Sequence, residues 1–184
     1  MRYDIRLAGE GGQGLILGGV ILAEAASSAE GTYVAQTQSY GPEARGGASR
    51  SEVVISDSDI DYPRVVEADV LLAMSQEAYD RFGSELKDGG VLLVDSILVH
   101  DVDQVRAYRA PITRLAEEAT GDRIAANIVA LGLVVGLTNV VSVRAVEAAL
   151  CARVPEATRA ANLKAFQAGL TASSGVKRSS AHLE

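Results

Sequence analysis

The sequence predicts an α/β fold: a three-layer, Rossmann-like, doubly wound sheet that is mostly parallel. Three observations lead there. Strand-like and helix-like stretches alternate along the chain. Two near-continuous apolar runs, Asp69-Val70-Leu71-Leu72-Ala73-Met74 and Gly90-Val91-Leu92-Leu93-Val94-Asp95, have the character of parallel strands buried on both faces. The first strand-like run ends in Gly9-Glu10-Gly11-Gly12-Gln13-Gly14, a turn suited to entering a helix.

Tyr3 to Ala8 reads as the first strand and Leu15 to Ser28, small and aliphatic at helical spacing, as the following helix, with Gly31 as its stop. Thr32 to Thr37 reads as a second strand. A polar, glycine-rich loop from Gln38 to Gly47 follows, long enough to suggest function rather than mere connection. Arg50 to Ile55 alternates like a strand with one wet face, and Asp57-Ser58-Asp59 is a turn. Gln76 to Leu86, between the two apolar runs, carries a helical pattern. Gln104 to Ala110 is a weaker strand, Thr113 to Ala119 a short helix capped by Thr113, and Arg123 to Leu137 a buried helix. Ser142 caps a helix over Val143 to Ala152, and Thr158 to Gly169 forms the last. Residues 1–172 are expected to form a single domain and 173–184 a polar, flexible tail.

Composition narrows the function. With 48% apolar and 22% charged residues the chain is of the globular class, and a net charge of -7 with pI near 4.9 gives no basic footprint for nucleic acid or anionic membrane. The most apolar segment, Ile128 to Leu137, falls short of the roughly 20 residues of a bilayer span. Met1-Arg2-Tyr3-Asp4 does not open like a signal peptide, so a cytoplasmic protein is expected. Cys151 is the single cysteine and reads as a buried helical thiol; alone it supports neither a disulfide nor an iron–sulfur site. His100 and His182 have no serine or cysteine partner in a recognisable motif, and Asp57 to Asp61 lacks the glycine and distal glutamate of a calcium loop, so no metal site and no catalytic triad is expected.

The turn from Gly9 to Gly14 spells Gly-x-Gly-x-x-Gly, and the helix beginning near Leu15 offers free N–H groups and a positive dipole end to an anion. The same glycines also serve where helix and sheet pack closely. A nicotinamide or flavin dinucleotide would want an acidic residue about 20 residues on, to hold the ribose. Val34-Ala35-Gln36-Thr37-Gln38 offers none, and no Gly-Lys-Ser/Thr marks a P-loop. Gln13 places an amide where it can bond a neighbour or a ligand. The second constellation, Gln38-Ser39-Tyr40-Gly41-Pro42-Glu43-Ala44-Arg45-Gly46-Gly47-Ala48-Ser49, combines sharp turns, opposite charges and an amphipathic ring. Its Arg45 fork suits a carboxylate or phosphate, although a Glu43–Arg45 pair bracing the loop is the simpler reading.

Taken in order, Gly11-Gly12-Gln13-Gly14 and Tyr40-Gly41-Pro42-Glu43-Ala44-Arg45-Gly46-Gly47 closely resemble the gamma subunit, or gamma domain, of the 2-oxoacid:ferredoxin oxidoreductases, whose pattern is Gly-Gly-Gln-Gly followed by Tyr-Gly-x-Glu-x-Arg-Gly-Gly. The likeness continues through Val53-Val54-Ile55-Ser56-Asp57, Ala68 to Ala73, Ala126-Asn127-Ile128-Val129-Ala130-Leu131-Gly132 and Asn162-Leu163-Lys164-Ala165-Phe166, spanning Arg6 to Gly169. The resemblance implies a Rossmann-like subunit of a thiamine-diphosphate enzyme that oxidatively decarboxylates a 2-oxoacid, joins the acyl group to coenzyme A and reduces ferredoxin. It implies alpha and beta partner chains, with or without a ferredoxin-like delta chain. Thiamine diphosphate and the iron–sulfur clusters would sit on those partners, this chain being non-redox and inactive alone, and coenzyme A would meet its surface. The candidate cofactor- or partner-contact residues are Gly11, Gly12, Gln13, Gly14, Tyr40, Gly41, Glu43, Arg45, Gly46, Gly47 and Asn127, the last either orienting a loop or capping the buried helix, capping being the simpler expectation. The alternatives are a stand-alone Rossmann-type oxidoreductase, disfavoured by the missing acid, and a nucleotide-sensing or scaffold domain, disfavoured by the Tyr40 to Gly47 motif. The oxoacid itself stays open, with 2-oxoglutarate or a pyruvate/oxoisovalerate pair foremost.

Overall fold

The structure, a computed structural model, describes residues 1–29, 31–40, 48–102 and 107–176. In chain order its elements are β1 (Arg2–Glu10), α1 (Leu15–Ser27), β2 (Tyr33–Ser39), β3 (Ala48–Ser56), β4 (Ala68–Ala73), α2 (Gln76–Phe82), β5 (Leu86–Asp95), β6 (Ala107–Ala110), α3 (Ile112–Thr120), α4 (Ala126–Thr138), α5 (Val143–Arg153) and α6 (Glu156–Ser173). The strands form one six-stranded sheet in the order β2-β3-β1-β4-β5-β6. β1, β4, β5 and β6 run parallel, and β3 lies antiparallel between β1 and β2. The expected α/β, mostly parallel, doubly wound sheet is present, with one difference from a simple βαβ start: β2 is not the neighbour of β1. β3 returns directly beside β2 through the connection 40–47, and an antiparallel neighbour needs only such a hairpin where a parallel one needs a crossover.

Alternate residues of each strand divide between two cores. Ile5, Leu7, Val53, Val70, Leu72 and Leu93 face α1 and the α3–α6 layer, whereas Ala8, Leu71, Ala73 and Leu92 face Ala78, Tyr79 and Phe82 of α2. α4 is apolar on all sides because it is sandwiched: every residue from Ala126 to Val135 is buried. Its contact with α6 is backbone on backbone. A Cβ at Gly132 would lie 2.3 Å from the Phe166 carbonyl oxygen, and one at Gly169 2.0 Å from that of Val129.

The α2 side of the sheet is ionic as well as apolar. The polar side of β3, expected to be wet, is buried: Arg6 is 1% exposed and Glu52 3%. Arg6 Nε donates to Glu52 Oε1 at 2.9 Å, its Nη2 donates to the Val65 carbonyl oxygen at 2.6 Å, and its Nη1 pairs with Glu85. The segment between β3 and β4 covers this face, so the alternation along Arg50 to Ile55 marks two buried environments rather than core and solvent. Farther along β1, Lys87 Nζ bridges Asp69 at 2.8 Å and Asp4 at 3.2 Å. Burial pulls this ammonium down, but the hydrogen bonds to Asp69 and Asp4 outweigh it and leave Lys87 above its ordinary value. Burial, then the Asp69 charge, push the Tyr3 phenol up.

Several boundaries differ from expectation. The helix begun at Gln76 ends at Phe82, a 3-10 turn spans Gly83–Glu85, and Leu86 already belongs to β5. Arg123–Ala125 is a separate 3-10 turn capped by Asp122, so the long buried helix starts at Ala126. Thr113 does not cap α3, whose N-cap position is Pro111; its N–H, at 3.0 Å, and its hydroxyl both donate to Asp95, a buried carboxylate at the end of β5. Ser142 does cap α5, accepting from the Ala145 N–H at 3.2 Å. Cys151 is half-buried rather than buried. α6 continues through Ser173 and Val176 packs on the core, while residues 177–184 of the expected tail, and 104–106 of the expected strand before Ala107, lie outside the described residues.

Candidate functional site at the glycine-rich loop

In open α/β sheets ligands sit beyond the carboxyl ends of the strands, where successive connections diverge. Here β1 leads toward β2 on one side and β4 toward β5 on the other, so the crevice lies between the ends of β1 and β4. Gln13 fills it. Its Oε1 accepts from the Glu10 N–H at 2.8 Å and its Nε2 donates to the Met74 carbonyl oxygen, just past β4, at 3.0 Å. A Cβ at Gly9 would stand 2.2 Å from Gln13 Oε1 and 3.0 Å from Met74 Cβ. The motif's first glycine therefore makes room for Gln13, not for a pyrophosphate. With β3 interposed, the end of β2 is also removed from the place where a ribose-binding acid would work.

Gly14 is the N-cap position of α1, with φ 72° and no side-chain cap. Asn127 Nδ2 donates to its carbonyl oxygen at 2.9 Å, and a Cβ at Gly14 would lie 2.6 Å from that nitrogen. Asn127 thus orients the loop. It does not cap α4, whose N-cap position is Ala125 with no side-chain bond; as the second residue of the helix, it sends its amide across to the loop instead. Gly11 and Gly12 are exposed, and a Cβ added at either meets nothing within 4 Å, so the loop's crest is open to an approaching group.

Of the second motif, Gly41, Glu43, Arg45, Gly46 and Gly47 lie outside the described residues. Both ends of that segment are described and converge on the first loop. The β1–β3 register sets Glu10 against Ala48 and Gly9 against Ser49. Ser49 Oγ donates to the Gly9 and Glu10 carbonyl oxygens at 3.2 and 3.3 Å, and the Ala48 N–H donates to Glu77 Oε1 of α2 at 3.1 Å. At the other end Tyr40 is 67% exposed. Tyr40, Ser49, Ile16 and the three glycines Gly11, Gly12 and Gly14 line one cleft of about 270 Å³. A second cleft of about 530 Å³ opens on the other flank of the loop, where Gly12, Gly14 and Asn127 meet Ile124 and Asn162.

The structure therefore unites Gly11, Gly12, Gly14 and Tyr40 at the surface, with Gln13 and Asn127 as internal supports. Sequence reasoning missed Glu77 and the bracing role of Ser49, which only strand register reveals. The α1 N-terminus carries no acidic residue in its first turn, so the cleft suits an anionic or carbonyl-bearing group that takes backbone N–H donors. Among the described residues no three His, Cys, Asp or Glu side chains converge as metal ligands.

The sequence pattern of the pyruvate ferredoxin/flavodoxin oxidoreductase family matches residues 4–172. The chain is 51% identical over 177 residues to the 2-oxoglutarate synthase subunit KorC of Methanothermobacter thermautotrophicus, covering 92% of this chain and 94% of that one. It is 31% identical over 144 residues to the pyruvate synthase subunit PorC of the same organism, covering 76% and 78%. The crystal structure of the gamma subunit of a keto/oxoacid ferredoxin oxidoreductase from Geobacter sulfurreducens superposes with a TM-score of 0.88 at 51% identity, covering 96% of this chain and 99% of that one. A 2-oxoglutarate:ferredoxin oxidoreductase from Magnetococcus marinus, solved with 2-oxoglutarate, coenzyme A and succinyl-CoA, matches with a TM-score of 0.83 at 27% identity, covering 97% of this chain but 32% of that longer one. With the family pattern spanning residues 4–172 and half of all positions identical to gamma subunits that it covers almost end to end, the chain belongs to the pyruvate ferredoxin/flavodoxin oxidoreductase family as one of its gamma subunits.

Proposed function

We propose that this gamma subunit serves an enzyme that oxidises 2-oxoglutarate, with coenzyme A as acyl acceptor and ferredoxin as electron acceptor. The observation that carries the substrate is the contrast within one organism: 51% identity to its 2-oxoglutarate synthase subunit against 31% to its pyruvate synthase subunit. The chain supplies no redox centre of its own. Its single cysteine is half-buried on α5, and an iron–sulfur cluster takes about four thiolates. Thiamine diphosphate and the clusters then belong to the partner alpha and beta chains, with ferredoxin reached through them. What the subunit contributes is the face formed by Gly11, Gly12, Gly14 and Tyr40, with Gly41, Glu43, Arg45, Gly46 and Gly47, which lie outside the described residues, as the remaining candidate contacts. Gln13 and Asn127 hold that face in place from behind. The open glycine crest and the free N–H groups at the start of α1 fit a coenzyme A phosphate or a partner carbonyl.

The test is co-expression with the alpha and beta chains, followed by reduction of a viologen dye. The expected result is coenzyme A-dependent turnover fastest with 2-oxoglutarate, and none from the subunit alone. Faster turnover with pyruvate or oxoisovalerate would overturn the substrate, and turnover by the isolated chain would overturn the division of labour.

A further inference from the structure

The two edges of the sheet are built differently. β6 has four residues, and Arg109 on it turns its guanidinium back to the Val99 carbonyl oxygen at 3.0 Å. A short edge strand carrying a charge is protected against adding another strand. β2 has seven residues and pairs with β3 without a bulge from Tyr33↔Ser56 to Ser39↔Arg50. It holds neither charge nor proline. In a chain that is 22% charged, no Asp, Glu, Lys, Arg or His occurs from Gly31 to Pro42. Among the described residues nothing pairs with its outer edge. Within the strand itself no charge, proline or bulge blunts the edge, while Tyr33, 47% exposed, and Tyr40, 67% exposed, flank it with a side chain favoured at interfaces.

We propose that the outer edge of β2 is a docking surface on which a strand of the catalytic partner subunit adds to the sheet. The proposal rests on the reading of the chain as a subunit of the oxidoreductase complex. Two observations select that partner over a second copy. In the Magnetococcus marinus relative this whole fold makes up 32% of one longer polypeptide, so there it is permanently joined to further structure. A second copy would instead bring another net charge of -7 against this one. β2 also runs directly into Tyr40 at the glycine-loop cleft, so a strand docked on it is continuous with the face already described. The partner segment is recognised by its main chain, as an extended stretch of low charge that supplies N–H and carbonyl groups.

Hydrogen exchange read by mass spectrometry on peptides covering residues 33–40, in the isolated chain and in the complex with its alpha and beta chains, tests this. Exchange of the outward-facing amides is expected to slow at least about tenfold on assembly, since they would gain main-chain partners. Gln38→Lys, at an exposed position, is expected to weaken association with the partner chains about tenfold and to leave the melting temperature of the isolated chain unchanged, because a lysine blunts an edge without touching the core. An assembled complex that turns over 2-oxoacid with unchanged exchange over these residues would overturn the docking proposal alone. Wild-type chains that do not assemble would overturn it together with the subunit reading. Protection that appears in the isolated chain as its concentration rises would assign the edge to a second copy and overturn the proposal.

Discussion

Gln13 Nε2 reaches the Met74 carbonyl oxygen at 3.0 Å and so closes, with one side chain, the crevice in which related folds hold a dinucleotide. Of the two partners the sequence allows the Gln13 amide, a neighbour or a ligand, it takes neighbours, and it leaves Gly11 and Gly12 beside it exposed.

Replacing Gln13 by alanine is expected to remove the side-chain partners of the exposed Glu10 N–H and the part-buried Met74 carbonyl and to cost about 0.5–1.5 kcal/mol of stability in urea unfolding. Glutamate at the same position should cost at least as much, since it offers the Met74 oxygen no donor. Neither variant should bind NAD or FAD, because no ribose-binding acid follows; calorimetric titration showing a dissociation constant below about 10 µM would contradict this.

Gly14→Ala forces a Cβ against the Asn127 amide at a φ of 72° and should destabilise the fold by about 1–2 kcal/mol through the left-handed backbone alone, with the clash in addition. Asn127→Ala removes the contact and should cost about 1 kcal/mol. The double variant is expected to fall short of the sum, because removing the amide relieves the clash. Strict additivity in denaturant unfolding would mean that the two residues do not meet.

Glu52→Gln should cost about 1.5–3 kcal/mol, since it weakens a buried charge-assisted hydrogen bond and leaves Arg6 with Glu85 alone as its counter-charge. Arg6→Met combined with Glu52→Leu is expected to recover most of that loss. A double variant no better than the single one would show that geometry rather than charge is at stake.

Stability should fall on the alkaline side. Lys87 and Tyr3 both have folded-state values above their unfolded ones, so the stability they contribute is complete below the unfolded values near pH 10 and is lost as pH climbs through the raised folded ones. Lys87→Met is expected to flatten that decline in a pH series of unfolding curves. An unchanged alkaline limb would remove the lysine bridge from the account.

Arg45→Ala should impair the assembled enzyme more than the fold. If the guanidinium grips a coenzyme A phosphate, the KM for coenzyme A rises while assembly survives, and Arg45→Lys rescues only part because the bidentate fork is lost. If it anchors a partner, association weakens instead. A lower melting temperature of the isolated chain with neither effect would return Arg45 to an ion pair within its own loop.

The strands, the Gly-rich turn and the buried α4 were legible because period-two and all-apolar patterns report burial directly. The insertion of β3 between β1 and β2 was not, because neighbour order is decided by which hairpin forms and leaves no mark in local spacing. Arg6 and Glu52 escaped for a related reason: alternation tells which side chains share a face, and only the segment crossing over them decides that the face is dry. Asn127 looked like a cap because asparagine so often is one; it lies two positions past the N-cap of α4, and its amide bonds the Gly14 carbonyl oxygen instead. Tyr40 and the glycines stand out from the motifs alone, while Ser49, which ties the start of β3 to the first loop, and Glu77, which ties Ala48 to α2, carry no motif of their own.

The glycine contacts between α4 and α6 have a mechanical consequence. Gly132 and Asn127 lie five positions apart on α4, roughly 7.5 Å along its axis, so one rigid rod is clamped to α6 at one point and holds the Gly14 carbonyl at the other. Any side chain larger than hydrogen at Gly132 or Gly169 would lever the rod away from its neighbour. The position of the loop's crest is therefore gauged by the separation of two helices that carry none of the crest's own residues, and a change at either glycine would displace the crest without altering a single residue of it.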